Sequence, residues 1–196
     1  MARPREFDPL KVLDQAMVVF WQRGYEGASL SLLTDAMGIG KASLYAAFES
    51  KENLFLQALG RYHTRVIGPW LEPLFSPDTN QGLDTIEDVL DKLVDRLTSS
   101  DSPPGCLVSI ASIECAQGQR PLLRKVGDIL ADFETGFYQG LRQAQISGAL
   151  DVQKDPRQIA RALTSTAQGM AVLSRAGSEM RALDDICRWT MRTLRS

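Results

Sequence analysis

Apolar side chains recur at spacings of three and four residues along almost the whole chain, and no stretch sustains the strict alternation of a half-buried strand. The pattern predicts an all-α protein of about nine helices. Leu10, Leu13, Met17, Phe20 and Trp21 form the first stripe, opened by Asp8 and Pro9 as N-cap and first helical residue and closed at Gly24. Two short helices follow. Leu30, Leu33, Ala36 and Met37 mark one of them behind a Ser29 cap, and Leu44 and Phe48, four residues apart, mark the inward side of the other. Gly38 between them suits the left-handed conformation that ends a helix. A longer fourth helix, capped by Ser50, carries Leu54, Phe55, Ala58, Leu59, Tyr62, Val66 and Trp70 along one side, and Pro69 should bend or break it.

Residues 76–82 read as a loop, after which Leu83, Ile86, Leu90, Leu93 and Leu97 define an amphipathic helix. Pro103, Pro104 and Gly105 interrupt the chain. Residues 106–117 are apolar nearly all round, as in a helix at the centre of a domain. A long helix follows Pro121, with Leu122, Val126, Ile129, Leu130, Phe133, Phe137 and Leu141 on one face as far as Gly148. The last two helices, 156–175 and 178–194, form a pair joined at Gly177. The first is rich in small residues that permit close approach, and the second carries Met180, Leu183, Cys187, Met191 and Leu194 as a stripe.

The short pair at 29–51 holds most of the functional information. Two brief helices across a glycine turn cross steeply and present the second to the major groove of a duplex. Ala36 to Tyr45 (AlaMetGlyIleGlyLysAlaSerLeuTyr), Phe48, the run Ser50, Lys51, Glu52, and Leu54 resemble the helix-turn-helix of the TetR family of bacterial repressors. With the helix before it, the resemblance covers about a quarter of the chain. Two positions depart from the family pattern: Gly40 stands where a Ser or Thr cap is common, and Ala47 where a His or Tyr near the phosphates is common.

The resemblance implies a helix-turn-helix DNA-binding domain over 1–48 and an effector-binding and dimerisation domain over 49–196. The homodimer would repress transcription from a near-palindromic operator and be released by a small-molecule effector. On the DNA side, Ser29 and Lys51 are the phosphate candidates, and Lys41, Ala42, Ser43, Tyr45 and Ala46 form the outward face of the reader helix. The two most outward side chains are alanines, which touch thymine methyls but form no hydrogen bonds to base edges. Arg3 and Arg5 precede the first helix, within reach of a neighbouring minor groove. Tyr62, Val66, Trp70, Ile110, Glu114, Phe133 and Phe137 are the candidate ligand residues. Glu114, ionised in apolar company, needs an arginine partner, solvent or a cationic ligand. Leu163, Ala167, Met170, Met180, Leu183, Cys187 and Met191 are the candidate dimer contacts, since the family packs its last two helices on those of a second copy.

Composition narrows the alternatives. Of 196 residues, 44% are hydrophobic and 23% charged, ordinary for a soluble globular protein. The N-terminus lacks a signal-like apolar run and no segment is long enough to span a bilayer, so the expected address is the cytoplasm. The net charge of −2 and pI near 5.5 give a nucleic-acid reading no help, so any basic surface must be local. Cys106, Cys115 and Cys187 are odd in number and lack metal-ligand spacing. They leave open a regulator controlled by cysteine oxidation. His63 is the single histidine, placed at the border of an apolar face where a surface role is expected. No nucleotide-binding loop, nucleophile elbow or zinc motif occurs, so catalysis has no visible carrier and no cofactor is expected. The further alternatives are an α-helical enzyme with a vestigial DNA-binding domain, using Cys115 or His63, and an adaptor that has lost its DNA affinity.

Overall fold

The computed structural model describes residues 7–76, 82–115 and 119–196. Arg3, Arg5 and most of the expected loop at 76–82 lie outside them, as do residues 116–118. The described residues are all-helical: α1 (Pro9–Gly27), α2 (Leu30–Met37), α3 (Lys41–Phe48), α4 (Lys51–Tyr62), α5 (Gly68–Phe75), α6 (Leu83–Thr98), α7 (Leu107–Glu114), α8 (Arg120–Ile146), α9 (Pro156–Arg175) and α10 (Met180–Arg195). A π-helical turn, His63–Ile67, joins α4 to α5. Taken as one bent rod, α4, the π turn and α5 are the fourth of the nine expected helices.

Local chemistry fixes the N-terminal boundaries. Asp8 Oδ1 accepts from the N–H groups of Leu10 (2.9 Å) and Lys11 (3.5 Å), with Pro9 behind it where a missing N–H costs nothing. Ser29 accepts from Leu32 N–H at 3.2 Å, and Ser50 from Asn53 N–H at 3.0 Å. Gly38 takes the left-handed conformation (φ 64°, ψ 29°) and closes α2 by donating to the Asp35 and Thr34 carbonyls.

Two boundaries differ from the sequence pattern. Gly24 does not end α1 but kinks it: its backbone turns to φ 74°, ψ −179°, and one further turn runs on to Gly27. The fourth rod bends before Pro69. Gly68 N–H reaches back five residues to the His63 carbonyl, so one surplus residue is absorbed just ahead of a proline that has no N–H to give.

Packing divides the chain into a head and a body that share α1 and α4. In the head, α1 backs both α2 and α4, around buried Ala16, Phe20, Leu33, Leu44, Phe48 and Phe55. In the body, α8 lies against α5 and α9, while α10 closes over α6. Arg195 anchors that last contact, donating to Asp84 at 2.7 Å and to Glu87 at 2.5 Å. α7, apolar as expected, sits between α1 and α8 with Leu107, Val108 and Ala111 fully buried.

Candidate nucleic-acid interface and regulatory cavity

On α3 the division between faces is clean. Leu44 and Phe48 point into the head, whereas Lys41, Ala42, Ser43, Tyr45 and Ala46 are exposed. Gly40 stands at the N-cap without a side chain to cap with, so the first N–H groups of α3 remain available to a phosphate. Ser29 is also exposed; its oxygen is engaged as the cap of α2, which leaves its hydroxyl hydrogen to donate outward. Lys51, half-buried at the start of α4, holds its ammonium 4.5 Å from the centre of the Tyr25 ring. That contact fixes a cation beside the reader helix. Ile39, half-buried, packs the turn onto the core.

The seven candidate ligand residues do not converge on one place. Tyr62, Val66, Trp70 and Phe133 line a single interior cavity, together with Ile67, Leu93, Arg96, Cys106, Ala167, Gln168 and Ala171. It is nearly filled, with space for about one water. Phe137 is a core residue instead, fully buried with its ring edge-on to Trp70 at 6.1 Å. Ile110 lines a separate surface groove between α7 and α9.

Glu114 corrects the sequence reading most clearly. Among the described residues, no arginine pairs with it. Its Oε2 accepts from Tyr25 N–H at 2.5 Å and from Glu26 N–H at 3.4 Å, so the carboxylate of α7 caps the last turn of α1 created by the kink at Gly24. A side chain at Gly24 would meet it directly, since a Cβ there would lie 2.1 Å from Glu114 Oε1. A second clasp lies alongside. Arg175 of α9 donates to the carbonyls of Trp21 (3.0 Å) and Gln22 (3.3 Å), and Trp21 Nε1 donates to the Gly105 carbonyl (3.3 Å). Arg96 shares that carbonyl at 3.2 Å and lies over the Trp21 ring. Sequence reasoning passed over Arg96, Arg175 and Gln168 because nothing local marks them. A glycine in the amphipathic run of α1 was the one available signal.

The candidate dimer contacts need a similar correction. Leu163, Ala167, Met170, Leu183, Cys187 and Met191 are all buried within this chain, because the stripes of α9 and α10 close their own domain. Only Met180 is exposed, and the other large apolar side chains left outward on these helices are Val172, Leu173 and Trp189.

All three cysteines are free and buried. Cys106 and Cys115 sit at the two ends of α7, and Cys106 lines the cavity. Burial pushes the Cys115 thiol up, aided by Glu114 and Glu52. It drives Cys187 to about 12, with Asp91, Asp184 and Glu87 adding to the effect. Both shifts oppose the thiolate that oxidation requires. His63, half-buried at the start of the π turn, lies 3.0 Å from Asp132 of α8. Among the described residues, no group of three or more His, Cys, Asp or Glu side chains is arranged to hold a metal.

Comparison with known proteins places these features in a family. Residues 12–58 match the family described as bacterial regulatory proteins, tetR family, and residues 82–188 match the transcriptional regulator LmrA/YxaF-like C-terminal domain. The chain is 31% identical over 190 residues to the HTH-type transcriptional repressor ComR of Escherichia coli K12, covering 97% of this chain and 90% of that protein. It is 30% identical over 186 residues to the uncharacterised HTH-type regulator YezE of Bacillus subtilis 168, covering 94% and 95%. Among solved structures, a cysteine mutant of the TetR-family regulator CifR, complexed with 26-base-pair operator DNA, superposes with a TM-score of 0.88 at 32% identity over 97% of this chain and 98% of that one.

Proposed function

The chain belongs to the TetR family of bacterial regulatory proteins, and from that premise we propose that it represses transcription as a homodimer on a near-palindromic operator, releasing it when a small molecule enters the cavity. Membership of this family makes it a DNA-binding regulator rather than an enzyme. One structural observation carries the rest. α4 starts with Ser50 and Lys51 beside the reader helix and ends at Tyr62 in the cavity wall, a rod of 12 residues and about 18 Å.

Two copies related by a two-fold axis would set one α3 in each of two successive major-groove faces. Lys51, Ser29 and the first turn of α3 would hold phosphates while Ala42, Ser43, Tyr45 and Ala46 meet base edges. Val172, Leu173, Met180 and Trp189 are the surface that supports pairing of α9 and α10 with a second copy. An effector acts through its preference for one spacing of the two reader helices; by reciprocal linkage, a guest that favours the wrong spacing weakens DNA binding. No described helix is long and apolar enough to cross a membrane, in keeping with work on cytoplasmic DNA.

Selection of bound fragments from a random duplex pool tests this reading. A two-fold-symmetric site whose affinity falls steeply with salt is expected, followed by compounds that free it. Recovery of no preferred sequence would overturn it. A second reading, control by cysteine oxidation, rests on the position of Cys106 in the cavity wall. Oxidant-driven release that persists in Cys187→Ser and disappears in Cys106→Ser would favour it.

A further inference from the structure

The polar side chains lining the cavity, Tyr62, Trp70, Arg96, Cys106 and Gln168, can all donate, and among the described residues no aspartate or glutamate lines it. Tyr62 is completely buried, and among the described residues its hydroxyl has no hydrogen-bond partner. It faces the first turn of α7, lying against the Cys106 thiol and the Leu107 N–H. That turn begins with Cys106 at the N-cap, which supplies no side-chain cap, so the positive end of α7 opens toward the same point. Arg96 lies close enough to act on Tyr62 electrostatically. Its guanidinium is held by the Gly105 carbonyl and the Trp21 ring rather than by a carboxylate. The remaining amide, Gln168, accepts from Ser109 Oγ at 2.6 Å, and Trp70 Nε1 is spent on the Val89 carbonyl at 2.6 Å.

A buried hydroxyl with nothing to donate to is costly, and it persists where a ligand supplies the acceptor. We propose that the cavity takes a small organic acid: its carboxylate held by the Tyr62 hydroxyl, the first turn of α7 and Arg96, and its apolar body laid against Trp70 and Phe133. The proposal rests on the reading of this cavity as the effector site. Burial holds the Tyr62 phenol well above its ordinary ionisation range, with the Cys106 thiol adding to the effect, so at neutral pH it is a donor. As it stands the cavity has space for about one water, so a guest must open it to enter. Its gaps are narrow, so a guest must part the π turn, which supplies Val66 and Ile67, from α9, which supplies Ala167 and Ala171.

Calorimetric titration of the full chain with benzoate and phenylacetate, each against its neutral counterpart toluene or ethylbenzene and against benzylamine, provides the test. The acids are expected to bind about tenfold or more tighter than the hydrocarbons, and benzylamine not at all. Tyr62→Phe keeps the ring and removes the donor; it should erase that advantage while leaving hydrocarbon affinity in place. Acids that bind no better than hydrocarbons, or an advantage untouched by Tyr62→Phe, would overturn the proposal.

An operator-release screen of neutral compounds, on the parent chain and on Val66→Phe, which fills the cavity, separates this failure from failure of the effector reading. Neutral compounds that free the operator from the parent but not from Val66→Phe would sink the acid preference and leave the cavity as the effector site. Equal release from both proteins would remove the cavity itself.

Discussion

The head and the body use polar groups in opposite ways. On the head, the reader-helix residues assigned to DNA, Lys41, Ala42, Ser43, Tyr45 and Ala46, are exposed and set on a helix fixed from beneath by Leu44 and Phe48. In the body, the informative groups are turned toward the chain itself: half-buried Glu114 and exposed Arg175 pair with distant backbone, and fully buried Tyr62 is left without a partner among the described residues. A duplex is large, so its reader must be prominent and rigid. A small effector can be enclosed, so its receptor can hold donors away from water at a cost that the guest offsets.

Removing the support of the head should have the largest effect. Leu44→Ala empties a fully buried site and should cost about 2–5 kcal/mol, abolishing operator binding while the body keeps its helical signal; loss of both together in a thermal melt would show that the two regions are not separable. The clasp between them comes next. Glu114→Ala should destabilise by about 1.5–3 kcal/mol by uncapping Tyr25 and Glu26. Gly24→Ala should cost at least about 1–2 kcal/mol for its left-handed backbone alone. In denaturant unfolding the double variant should lose less than the sum, because Glu114→Ala removes the atoms a new Cβ would strike. Strict additivity would break the assignment.

Smaller effects sharpen the contrast. Lys51→Gln should weaken binding to all duplexes alike and lower the salt slope by about 1, as expected for a phosphate contact, with no change in base preference. Tyr62→Phe should leave stability unchanged or raise it by up to about 1 kcal/mol, a gain no head residue would give on losing a polar atom.

The smallest effect concerns acid. The hydrogen bond from Arg61, 2.6 Å from Asp14 Oδ1, depresses the Asp14 carboxyl below its usual 3.8, with the Arg61 and Arg65 charges assisting against the opposing effect of burial. The contribution of this pair is therefore complete above about pH 4 and lost as pH falls through the depressed value. Stability curves of the parent and Asp14→Asn should differ above that pH and converge below it.

What the sequence made legible follows the same division. Asp8, Ser29, Gly38 and Ser50 act on backbone within a few residues of themselves, so their roles as caps could be read in a line of text. Helical period likewise identified which side of each helix is buried. It could not identify what covers that side, and so the stripes of α9 and α10 were assigned to a second copy when their own domain covers them. Glu114 was recognised as an ionised group in need of a partner, but that partner lies 89 residues away and is backbone rather than side chain. Such contacts form only after the kink at Gly24 and the packing of α7 against α1 have both been made.

The outward alanines of α3 carry a consequence for the chemistry of the genome. A side chain that contacts thymine only at its methyl group cannot tell that base from 5-methylcytosine, which bears the same group at the same ring position. Operators bound through Ala42 and Ala46 should therefore tolerate a methylated cytosine in place of a contacted thymine far better than a plain one. Enzymes that methylate cytosine would then edit, without mutation, the set of sites this protein occupies.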